Sequence, residues 1–225
     1  MKLLCLETST KNFSLAVSDG EEILHSRNVK LKRVLSSSII PAIDGILSKA
    51  KIRLRELDGF AIGLGPGSFT SLRVGLSTVK GLAFATQKPV VGVGSLDVMA
   101  MNAKDENGKP ICVISDAKRG LVYAALYELK GGTIKRKGGY SLLPLEQLLA
   151  QIPGPTIFVG DGIKLFPDAI VRKLPSAIFV DERKWLPQAK NILPLVLERF
   201  RKKKFDNIIR LVPIYLYPQD CQIQK

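Results

Sequence analysis

The pattern that most constrains this chain is one that occurs twice. Residues 3–6 form a short apolar run, Glu7-Thr8-Ser9-Thr10 a polar break, and 13–18 an alternating segment. Ser18-Asp19-Gly20 then turns into residues 22–27. Period-two alternation bounded by Asp and Gly predicts three consecutive antiparallel strands. Half a chain later the same order returns. Residues 111–115 form a strand, Asp116-Ala117-Lys118-Arg119 a polar break, and 121–129 a long alternating strand. Lys130-Gly131-Gly132 then turns into 133–137. Two copies describe a duplicated domain rather than a solenoid, which stacks many. A chain of 225 residues suits two small lobes. The polar stretch Asn102–Pro110 places their boundary, giving lobes 1–103 and 104–225.

Helices are expected between the later strands. Ser36, Ser37 and Ser38 offer N-caps to a helix whose Ile39, Ile40, Ile43, Ile46, Leu47 and Ala50 make one apolar stripe. Pro41 must lie in its first turn or kink it. A strand at 60–64 meets the turn Gly65-Pro66-Gly67, and Ser68 caps a second helix over 69–85. A strand follows at 90–93, and a helix begins at Leu96–Met101. The second lobe continues with a helix at 145–149 and a strand at 157–159, then the turn Gly160-Asp161-Gly162. A strand at 178–180 and a helix within 188–199 complete it. The class is therefore α/β.

Net charge of +14 is the strongest compositional signal. It gathers at Arg27, Lys30, Lys32 and Arg33, at Lys49, Lys51, Arg53 and Arg55, and at Arg199, Arg201, Lys202, Lys203 and Lys204. Such runs attract polyanions through phosphate contacts, and they also serve as solvated surface. Cys5, Cys112 and Cys221 follow no metal-ligand spacing. Cys5 and Cys112 lie in apolar runs, as buried reduced thiols do, which points to a reducing cytoplasm. No stretch approaches the ~18–20 apolar residues of a membrane span, and the N-terminal apolar run is too short for a signal peptide.

The stretch Gly65-Pro66-Gly67-Ser68-Phe69-Thr70-Ser71-Leu72-Arg73-Val74-Gly75-Leu76, running on to Lys80-Gly81-Leu82-Ala83, resembles the signature shared by TsaB (YeaZ) and TsaD proteins of bacterial threonylcarbamoyladenosine (t6A) synthesis. Leu4-Cys5-Leu6-Glu7-Thr8-Ser9-Thr10 is similar to that superfamily's opening strand and loop. Gly92-Val93-Gly94-Ser95-Leu96 and Asp116-Ala117-Lys118-Arg119 look like further TsaB segments, with weaker likeness at Gly160-Asp161-Gly162 and Pro213-Ile214-Tyr215. The catalytic relatives carry a histidine pair that helps hold a metal; the corresponding Gly94–Ala100 has none. His25 is the single histidine of the chain. The resemblance therefore points to the TsaB family. It implies an actin-like, ribonuclease H-like fold and a non-catalytic subunit supporting a TsaD-like catalytic paralogue. That pair would modify N6 of adenosine 37 in ANN-decoding tRNAs together with a TsaE-like ATPase. ATP and metal would belong to the partner subunits, and tRNA would be met through the complex. Self-association in the partner's absence stays open.

Two candidate surfaces follow. Glu7, Thr8 and Ser9 with Gly65, Gly67 and Ser68 are either a vestigial nucleotide or anion loop, or a strand-to-helix turn needing glycine dihedrals and a serine cap. Ile39, Ile43, Ile46 and Leu47 of the first helix, with Ser71, Gly75, Thr78 and Val79 of the second, are the expected partner interface. The resemblance implies a four-helix bundle there, and the residues themselves equally suit a core. Rival functions are a small-molecule kinase or ATPase of the same fold and a metal-dependent endopeptidase. The missing phosphate loops oppose the first and the missing ligand histidines the second.

Overall fold

A computed structural model describes residues 1–31, 34–104, 108–152 and 154–218. Lys32, Arg33 and Cys221 lie outside them, as does part of the expected boundary stretch. In chain order the elements begin with β1 (Lys2–Glu7), β2 (Asn12–Asp19), β3 (Glu22–Lys30), α1 (Leu35–Ala50), β4 (Gly59–Gly63) and α2 (Phe69–Thr86). β5 (Val90–Val93), α3 (Ser95–Ala100), β6 (Ile111–Lys118), β7 (Leu121–Lys130) and β8 (Thr133–Pro144) follow. The last are α4 (Leu145–Leu149), β9 (Ile157–Val159), α5 (Pro167–Lys173), β10 (Ile178–Phe179) and α6 (Ile192–Arg201).

The strands form two five-stranded sheets, ordered β3-β2-β1-β4-β5 and β10-β9-β6-β7-β8. Read from opposite edges these are one topology: an antiparallel three-strand opening, then two parallel strands. The duplication seen in the sequence is a duplication of the sheet.

The chain divides into two compact units, Met1–Val98 with Pro187–Pro213, and Met99–Leu186 with the segment from Ile214. The cut thus falls a few residues before the expected 103/104. More importantly, α6 belongs to the first unit, not to the second lobe as expected. Its Ile192, Leu193, Val196, Leu197 and Phe200 cover one face of the first sheet, against Leu3, Cys5, Ala61 and Val91. The opposite face presents Leu4, Leu6, Phe60 and Ile62 to α1 and α2. Strands covered on both sides carry unbroken apolar runs, which is why β1 and β4 do not alternate.

The boundaries of α1 depart from the serine caps expected. Val34 stands at the N-cap, and Ser37 and Ser38 lie inside the helix, each donating its hydroxyl to the Val34 carbonyl at 3.0 and 3.1 Å. Pro41 falls past the first turn. In the second unit β6 runs through Asp116 to Lys118, so of the expected polar break only Arg119 lies in the turn. β8 continues to Pro144, well past residue 137. The sequence reading had no element at α5, though Pro at its start, Asp168 in the first turn and Arg172-Lys173 in the last are helix signals. Its sheet packs Cys112, Ile114, Val122 and Ala124 against Leu145, Leu148, Leu149 and Ile170. Burial raises the Cys5 thiol to about 12 and also raises Cys112, so both behave as small apolar groups.

Candidate functional site

The first unit's β1 ends in a loop folded inward. Glu7, Thr8 and Ser9 are all buried. Glu7 Oε1 accepts the Ser9 N–H at 2.8 Å and the Ser95 hydroxyl at 3.1 Å. The Ser95 hydroxyl oxygen in turn accepts the Gly65 N–H at 2.9 Å, and the Ser95 N–H reaches the Gly65 carbonyl at 2.7 Å. Ser68 N–H donates to the Ser9 carbonyl at 2.7 Å. Three short segments, 7–9, 65–68 and Ser95, are thereby knotted around one carboxyl group.

Glycine makes this closure feasible. A Cβ on Gly63 would collide with the Glu7 carboxyl group and stand 2.9 Å from the Ser95 hydroxyl oxygen. One on Gly67 would stand 2.7 Å from Ser9 Cβ, and one on Gly75 2.8 Å from Thr8 Cγ2. Gly65 itself adopts φ +97°, which side chains disfavour. The turn therefore brings together all six residues expected there: Glu7, Thr8, Ser9, Gly65, Gly67 and Ser68. It also recruits Gly63, Gly75 and Ser95, which sequence reasoning did not select. Ser95 stood in a quoted family segment, but nothing local links it to a carboxylate 88 positions away.

An anion cradle needs free N–H groups aimed at a ligand. Of the three N–H groups that Gly65, Pro66, Gly67 and Ser68 possess, two already bond within the protein. Ser68 sits at the N-cap of α2, but its hydroxyl donates to Ser71 Oγ at 3.0 Å rather than capping the backbone. Glu7 Oε2 and Thr8 Oγ1 are buried without a hydrogen-bond partner among the described residues. Desolvation raises the Glu7 pKa, and the hydrogen bonds from Ser9 and Ser95 only partly oppose it. The geometry is that of a sealed joint holding a carboxyl group out of water.

Most of the residues expected at the partner interface lie in the core instead. Ile39, Ile43, Ile46 and Leu47 of α1 are buried on the sheet, as are Gly75 and Val79 of α2. Covering β2 and β3 takes up Ile39, Ile43 and Ile46 of the stripe, and Gly75 is small because Thr8 occupies its space. Ser71 and Thr78 are half-buried, and the Thr78 hydroxyl returns to the Val74 carbonyl at 2.9 Å. The faces of α1 and α2 turned to solvent are different residues. Ile40 is 50% exposed, Phe69 51% and Phe84 75%, with the Arg73 guanidinium 3.7 Å above the Phe69 ring. Between them lie small residues, Ser77 and Gly81, and a Cβ on Gly81 would meet open space. The two helices lie side by side over one core.

His25 is exposed on β3, across from Val17. Among the described residues no group of three metal-capable side chains gathers. In the second unit Asp116 bonds the Lys118 N–H at 2.8 Å and its ammonium group, while Asp161 accepts the Ser115 hydroxyl at 2.7 Å. No described helix is long and apolar enough to cross a membrane.

TsaB, the tRNA threonylcarbamoyladenosine biosynthesis protein of Escherichia coli K12, is 30% identical over 222 residues, spanning 96% of this chain and 94% of that one. The chain belongs to the TsaB family. A Bacillus subtilis family member is 27% identical over 183 residues, 80% of each chain. The model of the wider TsaD family, tRNA N6-adenosine threonylcarbamoyltransferase, matches residues 29–204. The solved structure of YeaZ from Pseudomonas aeruginosa superposes with a TM-score of 0.80 at 27% identity, over 96% of this chain and 99% of that one. A 2-hydroxyisocaproyl-CoA dehydratase activator from Clostridium difficile, solved with bound ADPNP, reaches 0.53 at 10% identity over 92% and 99%. That likeness concerns the fold alone, which is the actin-like α/β fold the family's sequences imply.

Proposed function

We propose that this chain is a non-catalytic subunit in the formation of threonylcarbamoyladenosine in tRNA, docking a TsaD-like catalytic relative through the solvent faces of α1 and α2. The observation that carries the proposal is the match to TsaB over nearly the whole of both chains. The closed Glu7 joint supports the non-catalytic role, because its carboxyl group faces protein rather than a substrate. Exposed Ile40 on α1 and exposed Phe69 and Phe84 on α2, the latter two separated by the small Ser77 and Gly81, support the docking face, since exposed apolar side chains favour partner contact. A TsaE-like ATPase would join the pair, with ATP and metal held by the other subunits.

Mixing the purified chain with its TsaD-like relative tests this directly. The wild type should form a stable complex that modifies tRNA, while the chain alone leaves tRNA unmodified. Ile40→Asp and Phe84→Asp should each weaken pairing by about thirtyfold or more, as loss of an interface anchor does. Both residues are exposed, so these variants should melt like the wild type. Full-affinity pairing by the double variant would disprove this docking face. Modification by the chain alone would disprove the non-catalytic role.

A further inference from the structure

We propose that the β7–β8 hairpin of the second unit is a docking surface for the sugar–phosphate backbone of RNA. This rests on the chain taking part in tRNA modification as proposed above, and it names a contact surface that the family match does not.

Within the described hairpin Lys130, Lys135 and Lys137 share one carboxylate neighbour, Glu128. The run ending α6, where RNA contact was expected from sequence, is more neutralised. There Arg199 pairs with Asp206, Arg201 with Glu21 and Lys202 with Glu198. The hairpin's cations are also organised by the strand register. Glu128 pairs with Lys135, Leu126 with Lys137 and Lys130 with Thr133, so Lys130, Lys135 and Lys137 share one face. Glu128 lies between them, 2.8 Å from Lys130 Nζ and 3.7 Å from Lys137 Nζ, which holds two ammonium groups at one spot.

The other face carries a different feature. The Arg136 guanidinium lies 3.9 Å above the Tyr140 ring, and its Nε donates to the Gly138 carbonyl at 3.2 Å. A fixed guanidinium plane on an aromatic ring is a stacking platform for an unpaired base, a group that RNA offers and a lipid surface lacks. Gly131, Gly132 and Gly138 all adopt positive φ, and a Cβ on any of them would meet open space. The ribbon's tip at Gly131-Gly132, and the irregular stretch of β8 at Gly138, therefore present bare backbone, which allows close approach. Lysines on an open edge strand also discourage strand pairing. That role alone does not account for an arginine stacked on a tyrosine.

The test uses the full chain and a fluorescein-labelled, unmodified tRNA transcript, with affinity read by anisotropy across a salt series. Pairing with the catalytic relative is measured on the same samples, so failure of the family role and failure of this surface separate. Replacing Lys130, Lys135 and Lys137 together by Ala should weaken tRNA binding by about tenfold or more and reduce the salt slope by about two. Tyr140→Ala should weaken it a further ~fivefold, with the slope unchanged. Pairing should be unaffected by either. Unaltered tRNA affinity in both variants would overturn the proposal, the more so if Lys202, Lys203 and Lys204 changed to Glu abolished binding. If the lysine variant lost heparin and tRNA equally while Tyr140→Ala lost neither, the hairpin would be a general polyanion surface and the RNA assignment would fall. Binding to phosphatidylserine vesicles but not tRNA would overturn it equally.

Discussion

The two sheets share one strand order but finish their first strands in opposite ways. In the first unit β1 stops at Glu7, and the chain dives beneath Gly63, Gly67 and Gly75. In the second, β6 continues to Lys118 and closes through Lys118, Arg119 and Gly120, all at positive φ. Sequence order sets Asp116 opposite Glu7 in the repeat, yet the strand registers do not. Leu6 pairs with Ile62 just before Gly63, and Val113 with Val159 just before Gly160. The residue crowding the terminal glycine is Glu7 in one sheet and Ile114 in the other. A duplicated scaffold thus retains its hydrogen-bonded frame while the loops at its strand ends diverge. Ladders tolerate no register slip, but loop ends can lengthen at little cost.

The comparison can be broken most forcefully at Gly75. An added methyl there must displace Thr8, so Gly75→Ala should destabilise the chain by about 1–3 kcal/mol, visible as a lower melting temperature. Gly139→Ala, where no atom approaches, should change it far less. Equal melting of both variants would show that the first joint is not closed.

A smaller effect concerns proton linkage at Glu7. Its folded pKa is raised, chiefly by burial, so its contribution is fully present below the ordinary glutamate range. That contribution is lost as pH rises through the folded value. Wild-type stability should therefore fall with rising pH across that window. Glu7→Gln, which keeps the acceptor for Ser9 and Ser95, should flatten the decline. Thermal melts at several pH values check this, and parallel wild-type and variant profiles would place Glu7 in contact with water.

The smallest effect is expected at the second unit's counterpart turn. The Lys118 side chain is 70% exposed, so its ion pair with Asp116 is screened by solvent. Lys118→Ala should alter stability by no more than about 0.5 kcal/mol in chemical denaturation. A larger loss would make this turn a joint like the first.

Much of the fold was legible because its signals are local. The turns at Gly20 and at Gly131-Gly132, the apolar period of α1 and α2, and the strands β5 and β9 each depend on neighbours in sequence. The α1 stripe was legible as a stripe, but its partner was not. Ile39, Ile43 and Ile46 would show the same spacing whether a sheet or another subunit covered them. Spacing alone therefore does not separate a core face from a docking face, and it gives no reason to set Ile40 apart from the rest of its stripe or to single out Phe84.

The sequence by itself determined a duplicated α/β chain, its strand order within each opening, and membership of a family through the Gly65–Ala83 stretch. Only the tertiary structure decided that α6 returns to the first unit, that Glu7 is sealed by Ser95, and which faces of α1 and α2 meet solvent. Hydrogen-bond ladders and helical periods arise from residues a few positions apart. Burial and ionisation depend on groups brought together across the chain, such as Glu7 and Ser95, and no local pattern specifies them.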